Sequence, residues 1–411
     1  MTALTLGVDF GTSNTAAAVF EDGRARLIAL EPGHDTLPTA VFMDYSARRT
    51  LFGRAAVAAM VDGREGRFMR SLKSILGTPL ARERRSFLNE RLTLLDIVAR
   101  FLTEVRLQAE AATGERIDHA VSGRPVHFHS ANAARDAQAE VDLAECYKMA
   151  GFSAVRFVHE PEAAALASGP GEGIGLIVDI GGGTSDFTLF RGHGAGVEVI
   201  ASHGLRLGGT DFDKAISLAQ VMPLFGMGGE LRNEMGPGRN DVPPALFHDL
   251  AAWEKIAFLY GAETLRDVRK MVQLAVTPER LRRLLTVVEM ELGHDVAFAV
   301  EAGKIAANDG ASGKIDLGPV EKGLGPVIYA NDLITCLWPQ AERIGQAAQE
   351  TLRHAGIGAD DVGRVIFVGG SSLIGVIDRL MRGLFAKASF EHSAVFTAVV
   401  DGLAIASQKT R

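Results

Sequence analysis

Two short stretches decide the fold of this chain: GVDFGTSN at residues 7–14 and VDIGGGTSD at residues 178–186. In each stretch, an apolar run typical of a buried strand reaches an aspartate, turns at glycine and continues into a second apolar run. Asp179 follows Asp9 by 170 residues, which is about the length of one domain. A motif that returns at this spacing in the same context indicates an internal duplication.

The residues around each copy predict the same order of strands. Strands are expected at 4–9, 15–20 and 24–30, and again at 175–180, 186–190 and 197–201, with hairpin turns at 22–23 and 192–196. Further elements follow from hydrophobic periodicity and glycine: helices at 92–112 and 132–150, a strand at 117–121, a Gly- and Pro-rich loop at 226–244, a helical stretch at 246–307 broken near Pro278, and a strand-to-glycine transition at 365–372 that opens a helix. Alternating strands and helices favour an α/β fold.

The duplication predicts two lobes. Lobe I is expected over 1–170 with an insert at about 40–115, lobe II over 171–385 with a mostly helical insert at about 222–303, and a C-terminal segment, 386–411, returns to lobe I.

Composition excludes several classes of protein. The 411 residues are 47% hydrophobic and 23% charged, which is typical of a soluble globular protein. The net charge of −7 argues against general nucleic-acid binding, and basic runs at 64–73, 82–91 and 280–283 are interpreted as solvated helix faces. No apolar run approaches the roughly 18–20 residues of a membrane span. Cys146 and Cys336 lack metal or redox spacing, which favours the cytoplasm.

The two aspartate-glycine turns predict a site for phosphate and magnesium. Each turn places a carboxylate at a strand end beside backbone N–H groups that glycine allows a ligand to approach. Two such turns that face each other can hold the phosphates of one nucleotide from both sides. Asp9 and Asp179 then anchor the water shell of Mg²⁺, a cation that keeps several of its waters.

Other polar features receive no function. His127 and His129 alternate along an expected strand without a third metal ligand, so they are interpreted as solvated or hydrogen-bonded. Residues 169–175 are interpreted as a connecting loop, because the glycines precede a strand and lack the order of a dinucleotide-binding motif.

The ordered motifs resemble those of one family. After GVDFGTSN come LKSILG at 72–77, HEPEAAA at 159–165, the second turn, LGGTDFD at 207–213, Glu301 with Lys304, and VGGSS at 368–372. This set resembles the nucleotide-binding domain of the 70-kDa heat-shock (DnaK-like) chaperones, and in particular short bacterial DnaK-like proteins. The resemblance implies the actin-like, ribonuclease H-like ATPase fold, with two duplicated lobes around a nucleotide cleft, and no client-binding domain.

The resemblance also implies roles for individual residues. Lys73 and Glu160 would position the attacking water, Asp9, Asp179 and Asp186 would order Mg²⁺ and its waters, and Thr12 and Thr184 would contact the γ-phosphate. Glu301 and Lys304 would face the ribose and base. The full set implied for ATP or ADP binding is Gly11, Thr12, Ser13, Asn14, Gly181, Gly182, Gly183, Asp186, Gly208, Gly209, Glu301, Lys304, Ile305, Gly369, Gly370, Ser371 and Leu373.

Two departures keep alternatives open. Ile305 and Leu373 stand where the family commonly has arginines that sandwich adenine, so the cation–π contribution is lost. We expect an ATP-hydrolysing, chaperone-type conformational switch that acts on unfolded or partner proteins with co-chaperones. An actin-like filament protein, a small-molecule kinase of the same superfamily and a nucleotide sensor without turnover are the alternatives.

Overall fold

The computed structural model describes residues 4–129, 132–167, 172–193, 196–392 and 397–410. Its strands are β1 Thr5–Phe10, β2 Asn14–Glu21, β3 Arg24–Ile28, β4 Leu37–Pro38, β5 Ala40–Asp44, β6 Arg49–Phe52, β7 Gly66–Arg70, β8 Arg85–Phe87, β9 Glu90–Leu92, β10 His119–Arg124, β11 Ala154–His159, β12 Gly173–Ile180, β13 Ser185–His193, β14 Gly196–Leu205, β15 Glu230–Arg232, β16 Arg239–Asp241, β17 Ser312–Lys314, β18 Val327–Tyr329, β19 Val362–Val368 and β20 Ser389–His392.

Its α-helices are α1 Gly53–Val61, α2 Leu94–Thr113, α3 Ala133–Met149, α4 Glu160–Ala167, α5 Gly209–Ile216, α6 Ala245–Leu250, α7 Ala262–Leu274, α8 Pro278–Glu289, α9 Gly293–Asp309, α10 Ala330–Ala355, α11 Gly375–Leu384 and α12 Ala398–Ala406. Within the ranges that the structure describes, no helix is both long and apolar enough to span a bilayer.

The chain forms two compact units. The first comprises Met1–Arg206, Ile344–Leu373 and Met381–Arg411, and the second comprises Leu207–Arg343 and Ile374–Leu380. Both copies of the duplicated motif lie in the first unit. The lobe boundary expected at residue 170 stays a prediction.

Two sheets of the first unit have the same topology. One has the order β11-β10-β1-β2-β3, and the other has the order β20-β19-β12-β13-β14. In each sheet the strand that carries the motif aspartate pairs antiparallel with the next strand along the chain and parallel with a strand on its other side. The duplication predicted from residues 7–14 and 178–186 is therefore confirmed, as is the α/β class.

β1 and β12 are largely apolar because both faces of their sheets are covered, as in parallel sheets generally. Asp9 and Asp179 occupy the penultimate position of their strands, where the polar side chain reaches the sheet edge. On one face of the β1 sheet, α2 and α3 contribute to a large hydrophobic core.

The other face is covered by α12, which packs on α4, β1, β2, β3 and β10. The backbones of α12 and α4 are in close contact at Gly402. A Cβ on this residue would lie 1.7 Å from the carbonyl oxygen of Ala163. α4 begins at Glu160, so this contact fixes the helix that carries a predicted site residue.

The second unit is mostly helical between α6 and α9, as predicted for residues 246–307. The expected break coincides with Pro278, which opens α8 at a position where its missing N–H costs nothing. The loop predicted for 226–244 is wrong in part, since it contains the antiparallel hairpin of β15 and β16.

The structure also corrects two smaller predictions, a strand and a loop. His127 and His129 lie in the connection after β10, which ends at Arg124, so the strand expected there is wrong. Of the expected loop 169–175, residues 169–171 lie outside the described residues and 173–175 belong to β12. In the expected turn at 192–196, residues 194–195 are also outside them.

Candidate active site

The two aspartate-bearing loops approach each other in the first unit. A Cβ on Gly182 would lie 2.4 Å from Oγ of Ser13, so the second loop lies directly against the first. The carboxylates of Asp9 and Asp179 interact electrostatically. The duplicated motifs therefore form one site.

Each loop has its own internal support. Gly181 N–H donates to the carbonyl of Thr184 at 2.9 Å, which closes the second turn. The side chain of Thr184 hydrogen-bonds to Asp186. In the first loop, the carbonyl of Ser13 accepts from Thr39 N–H at 2.9 Å.

Thr39 is a supporting residue that the sequence analysis missed. Its hydroxyl lies 2.9 Å from the hydroxyl of Thr15, and both side chains are fully buried. No motif links residue 39 to the first loop, since the contact arises only when β2 and β4 pair.

Lys73 and Glu160 converge on the same site from elsewhere in the unit. Lys73 lies in the 3-10 turn Leu72–Ile75, and Glu160 is the first residue of α4. Nζ of Lys73 donates to Oε1 of Glu160 at 2.5 Å, and their side chains are 9% and 12% exposed. At such burial, the carboxylate partner stabilises the charged form of the lysine.

The pKa values show how strongly the charges interact. Burial raises the pKa of Asp9 to about 7, and Glu160 adds to the shift while Lys73 opposes it. Burial and then Glu160 raise the pKa of Asp179 to about 8 and that of Asp186 to about 7. Four carboxylates thus share one lysine, and a further cation would stabilise their ionised forms.

The same charges act on Lys73 in the opposite sense. Burial alone would lower the pKa of its ammonium, but Glu160 and then Asp9 raise it above its ordinary value. Lys73 therefore carries a positive charge throughout the neutral pH range.

Gly369 also belongs to this cluster. A Cβ at this position would lie 2.4 Å from the carbonyl oxygen of Ile180 and 2.8 Å from Oδ1 of Asp179. The predicted nucleotide-contacting residues of the first unit that are partly or largely exposed are Gly11, Thr12, Ser13, Asn14, Gly181, Gly182, Gly183, Thr184, Gly369, Gly370, Ser371 and Leu373. Leu373 is 41% exposed.

The remaining predicted residues lie in the second unit. Gly208 and Gly209 are at the start of α5, and Gly208 N–H donates to Oδ2 of Asp211 at 2.9 Å. Glu301, Lys304 and Ile305 lie on α9, and Ile305 is 50% exposed. Their roles toward ribose and base stay predictions.

Lys304 has a partner that the sequence analysis did not assign. Its Nζ lies 2.7 Å from Oδ1 of Asp213, and its side chain is 7% exposed. Asp213 is the last residue of the LGGTDFD motif at 207–213. Its pairing with Lys304 arises only in the folded structure.

A comparison with protein families agrees with this geometry. The family model described as Hsp70 protein matches residues 5–222, a stretch that includes both loops, Lys73 and Glu160. Members of this family are ATP-binding chaperones and ATPases that have the actin-like ATPase fold. The match spans more than half of the chain, and the protein therefore belongs to the Hsp70 family.

Proposed function

We propose that this protein binds Mg-ATP, hydrolyses it at the cluster around Lys73, and uses the nucleotide state as a chaperone-type conformational switch. One observation carries the proposal: the 2.5 Å pair of Lys73 and Glu160 lies among Asp9, Asp179 and Asp186, where two duplicated loops meet. Phosphoryl transfer to water depends on positioning and charge neutralisation more than on a covalent nucleophile. The cluster provides both.

Each side chain has a distinct part in this proposal. Glu160 accepts a hydrogen bond from water and orients it for attack, while Lys73 offsets the negative charge on the transferred phosphoryl group. The backbone N–H groups of the two loops bind phosphate oxygens, and Thr12 and Thr184 add hydroxyl donors. The burial of the cluster strengthens these electrostatic interactions, because bulk water screens them less.

The residues present fit Mg²⁺. Its preferred ligands are oxygens, and Asp9, Asp179 and Asp186 supply carboxylates whose pKa values are raised first by burial and then by Glu160, so a nearby cation would stabilise their ionised forms. Within the described part of the chain, no three His, Cys, Asp or Glu side chains are arranged to hold a metal directly. The aspartates would therefore hold the ion largely through water. When bound, Mg²⁺ neutralises phosphate charge.

The test is Lys73→Ala in the full chain. We expect ATP binding, measured by calorimetry, to persist, and phosphate release to fall about 100-fold, which is the effect of removing one preorganised charge worth about 3 kcal/mol. Lys148→Ala is the matched control, since Lys148 is exposed on α3. Undiminished phosphate release by Lys73→Ala would remove the lysine from the mechanism.

The same assays separate the alternatives. ATP binding without turnover in the parent protein indicates a nucleotide sensor, a phosphorylated small-molecule product indicates a kinase, and pelleting with ATP indicates a filament. Titration of ATP, ADP and GTP tests base selectivity, for which exposed Ile305 and Leu373 are the residues of interest.

The proposal extends to partners and location. Unfolded or partner proteins and co-chaperones would respond to the nucleotide state, whereas nucleic acids and membranes are not proposed as partners. A cytoplasmic location is supported by the two free cysteines, Cys146 and Cys336.

A further inference from the structure

The turn that carries Lys73 has a fixed entrance. Ser71 adopts φ 59° directly before the 3-10 turn Leu72–Ile75. This left-handed conformation costs a non-glycine residue about 1 kcal/mol or more and persists only where the surroundings hold it. The structure around the turn must therefore restrain it.

The exit of the turn is restrained at both polar atoms of one peptide group. Nε2 of His129 donates to the carbonyl oxygen of Leu76 at 2.6 Å. The N–H of Gly77, in the same peptide group, donates to Oδ2 of Asp142 at 2.8 Å. His129 precedes α3 and Asp142 lies within it. We call these two side chains the peptide clamp.

Both members of the clamp are themselves held. Asp142 is 1% exposed, and its Oδ1 accepts from Arg82 at 2.6 Å and from Gln138 at 2.8 Å. The backbone N–H of His129 donates to Oδ1 of Asp136 at 3.1 Å. Hydrogen bonds therefore hold both sides of the clamp in place beside the turn.

Gly77 shows how closely the turn lies against α3. Its φ is 76°, and a Cβ there would lie 2.2 Å from the carbonyl oxygen of Arg135. The clamp is also connected to the lysine backbone, because Leu76 N–H donates to the carbonyl of Lys73 at 3.4 Å. A displacement of the clamped peptide would therefore move Lys73.

We infer that His129 and Asp142 are positioning residues: they hold the Leu76–Gly77 peptide and thereby keep the Lys73 ammonium against Glu160. The catalytic consequence rests on the proposed ATP hydrolysis. A misplacement of about 1 Å in such a site can lower the rate about 100-fold, so a side chain that touches no substrate can control turnover.

The test compares His129→Gln with His129→Asn in the full chain. The Gln amide reaches about as far as Nε2 of histidine and can donate to Leu76, whereas the Asn amide is one methylene shorter. We expect His129→Asn to lower single-turnover hydrolysis of bound ATP about tenfold with less than about twofold change in ATP affinity. We expect the rate of His129→Gln to stay within about threefold of the parent rate.

A second readout needs no ATP turnover. Acylation of Lys73 by an amine reagent, followed by mass spectrometry without nucleotide, reports how often the lysine leaves its partner. We expect His129→Asn to raise the rate of Lys73 labelling about fivefold and His129→Gln to leave it near the parent value. Exposed Lys148 serves as the internal control, since its labelling does not change.

The outcomes are distinct. Equal rates of Lys73 labelling in the parent and in His129→Asn overturn the inference. It is also overturned if His129→Gln fails to keep the hydrolysis rate and the labelling rate near the parent values. Loss of ATP affinity in proportion to the rate indicates a general structural role and also overturns it. If the parent binds ATP without releasing phosphate, the proposed function fails, while Lys73 labelling still decides the role of the clamp.

Discussion

Nζ of Lys73 and Oε1 of Glu160 are 2.5 Å apart, although 87 positions separate them in the sequence. β11 ends directly before Glu160, and the 3-10 turn holds Lys73, so two unrelated segments deliver opposite charges to one buried point. Neither charge is stable there alone, because an unpaired buried charge is strongly unfavourable. Each partner therefore stabilises the charge of the other at this point.

Replacement of Glu160 by glutamine separates the chemical role from the shape. Glutamine keeps an oxygen that can accept from Lys73 but removes the negative charge that we propose orients water. We expect Glu160→Gln to bind ATP and to release phosphate about 100-fold more slowly, which corresponds to about 3 kcal/mol of transition-state stabilisation. Calorimetry and a phosphate-release assay measure the two quantities. Glu162→Gln on the same helix is the control, and equal losses in both variants would contradict the assignment.

The close approach of the two loops predicts a paired rescue. Gly182→Ala introduces a methyl 2.4 Å from Oγ of Ser13, so this hydroxyl must rotate or the loops must separate, and we expect ATP affinity to fall about tenfold. Ser13→Ala in the same chain removes the clashing oxygen and restores most of the affinity. Gly183→Ala is the control, because no atom lies within 4 Å of its added Cβ. A similar loss in Gly183→Ala would show that the loop tolerates no side chain at all.

Two helical glycines predict stability changes of opposite sign. In Gly402→Ala the new Cβ would lie 1.7 Å from the carbonyl of Ala163, so α12 must move, and we expect a loss of about 3 kcal/mol or more. Gly383→Ala, in α11, meets no atom within 4 Å and should gain up to about 1 kcal/mol from helix propensity. Chemical denaturation measures both. A stability loss in Gly402→Ala below about 1 kcal/mol would rule out the tight helix contact.

Because of buried His294, we expect the second unit to lose stability in acid. Burial lowers the pKa of His294 from its ordinary 6.5 to about 4. The unfolded chain therefore binds the proton more readily, so this contribution to stability is complete above about pH 6.5 and is lost as the pH falls toward 4. His294→Gln should flatten this part of the profile.

Tryptophan fluorescence provides the readout for that prediction. The rings of Trp253 and His294 are 5.2 Å apart, and Trp338→Phe removes the second tryptophan, so urea unfolding followed at Trp253 reports on the second unit. The experiment compares the free energy of unfolding at pH 7.5 and at pH 5, in the protein with His294 and in the His294→Gln variant. An unchanged pH dependence in His294→Gln would show that other groups dominate.

Much of the fold was predictable because its signals are local. The strand ends at Asp9 and Asp179, the glycines that follow and the spacing between the copies all lie within short windows of sequence. The hairpin of β15 and β16 was not predictable, since each strand has three residues, too few for a clear alternation, and glycine and proline dominate the turn.

The sequence predicted that Lys73, Glu160 and the two loops belong to one site, but it did not predict the contacts that support them. The order of the motifs indicates Lys73 and Glu160. No local pattern connects Leu76 with His129 or Gly77 with Asp142. These contacts depend on how α3 packs against a turn more than 50 positions earlier, which only the three-dimensional structure contains.

The packing of α12 also affects how the protein is made. A ribosome synthesises β1, β10 and α4 long before α12, which begins at Ala398, yet α12 covers part of all three. Until that helix emerges, nascent chains expose an apolar surface that includes Ala163 and the sheet beneath it, a state prone to aggregation. Completion of the first unit is thus coupled to late translation, because the sheet that carries Asp9 stays uncovered on one face until α12 is made.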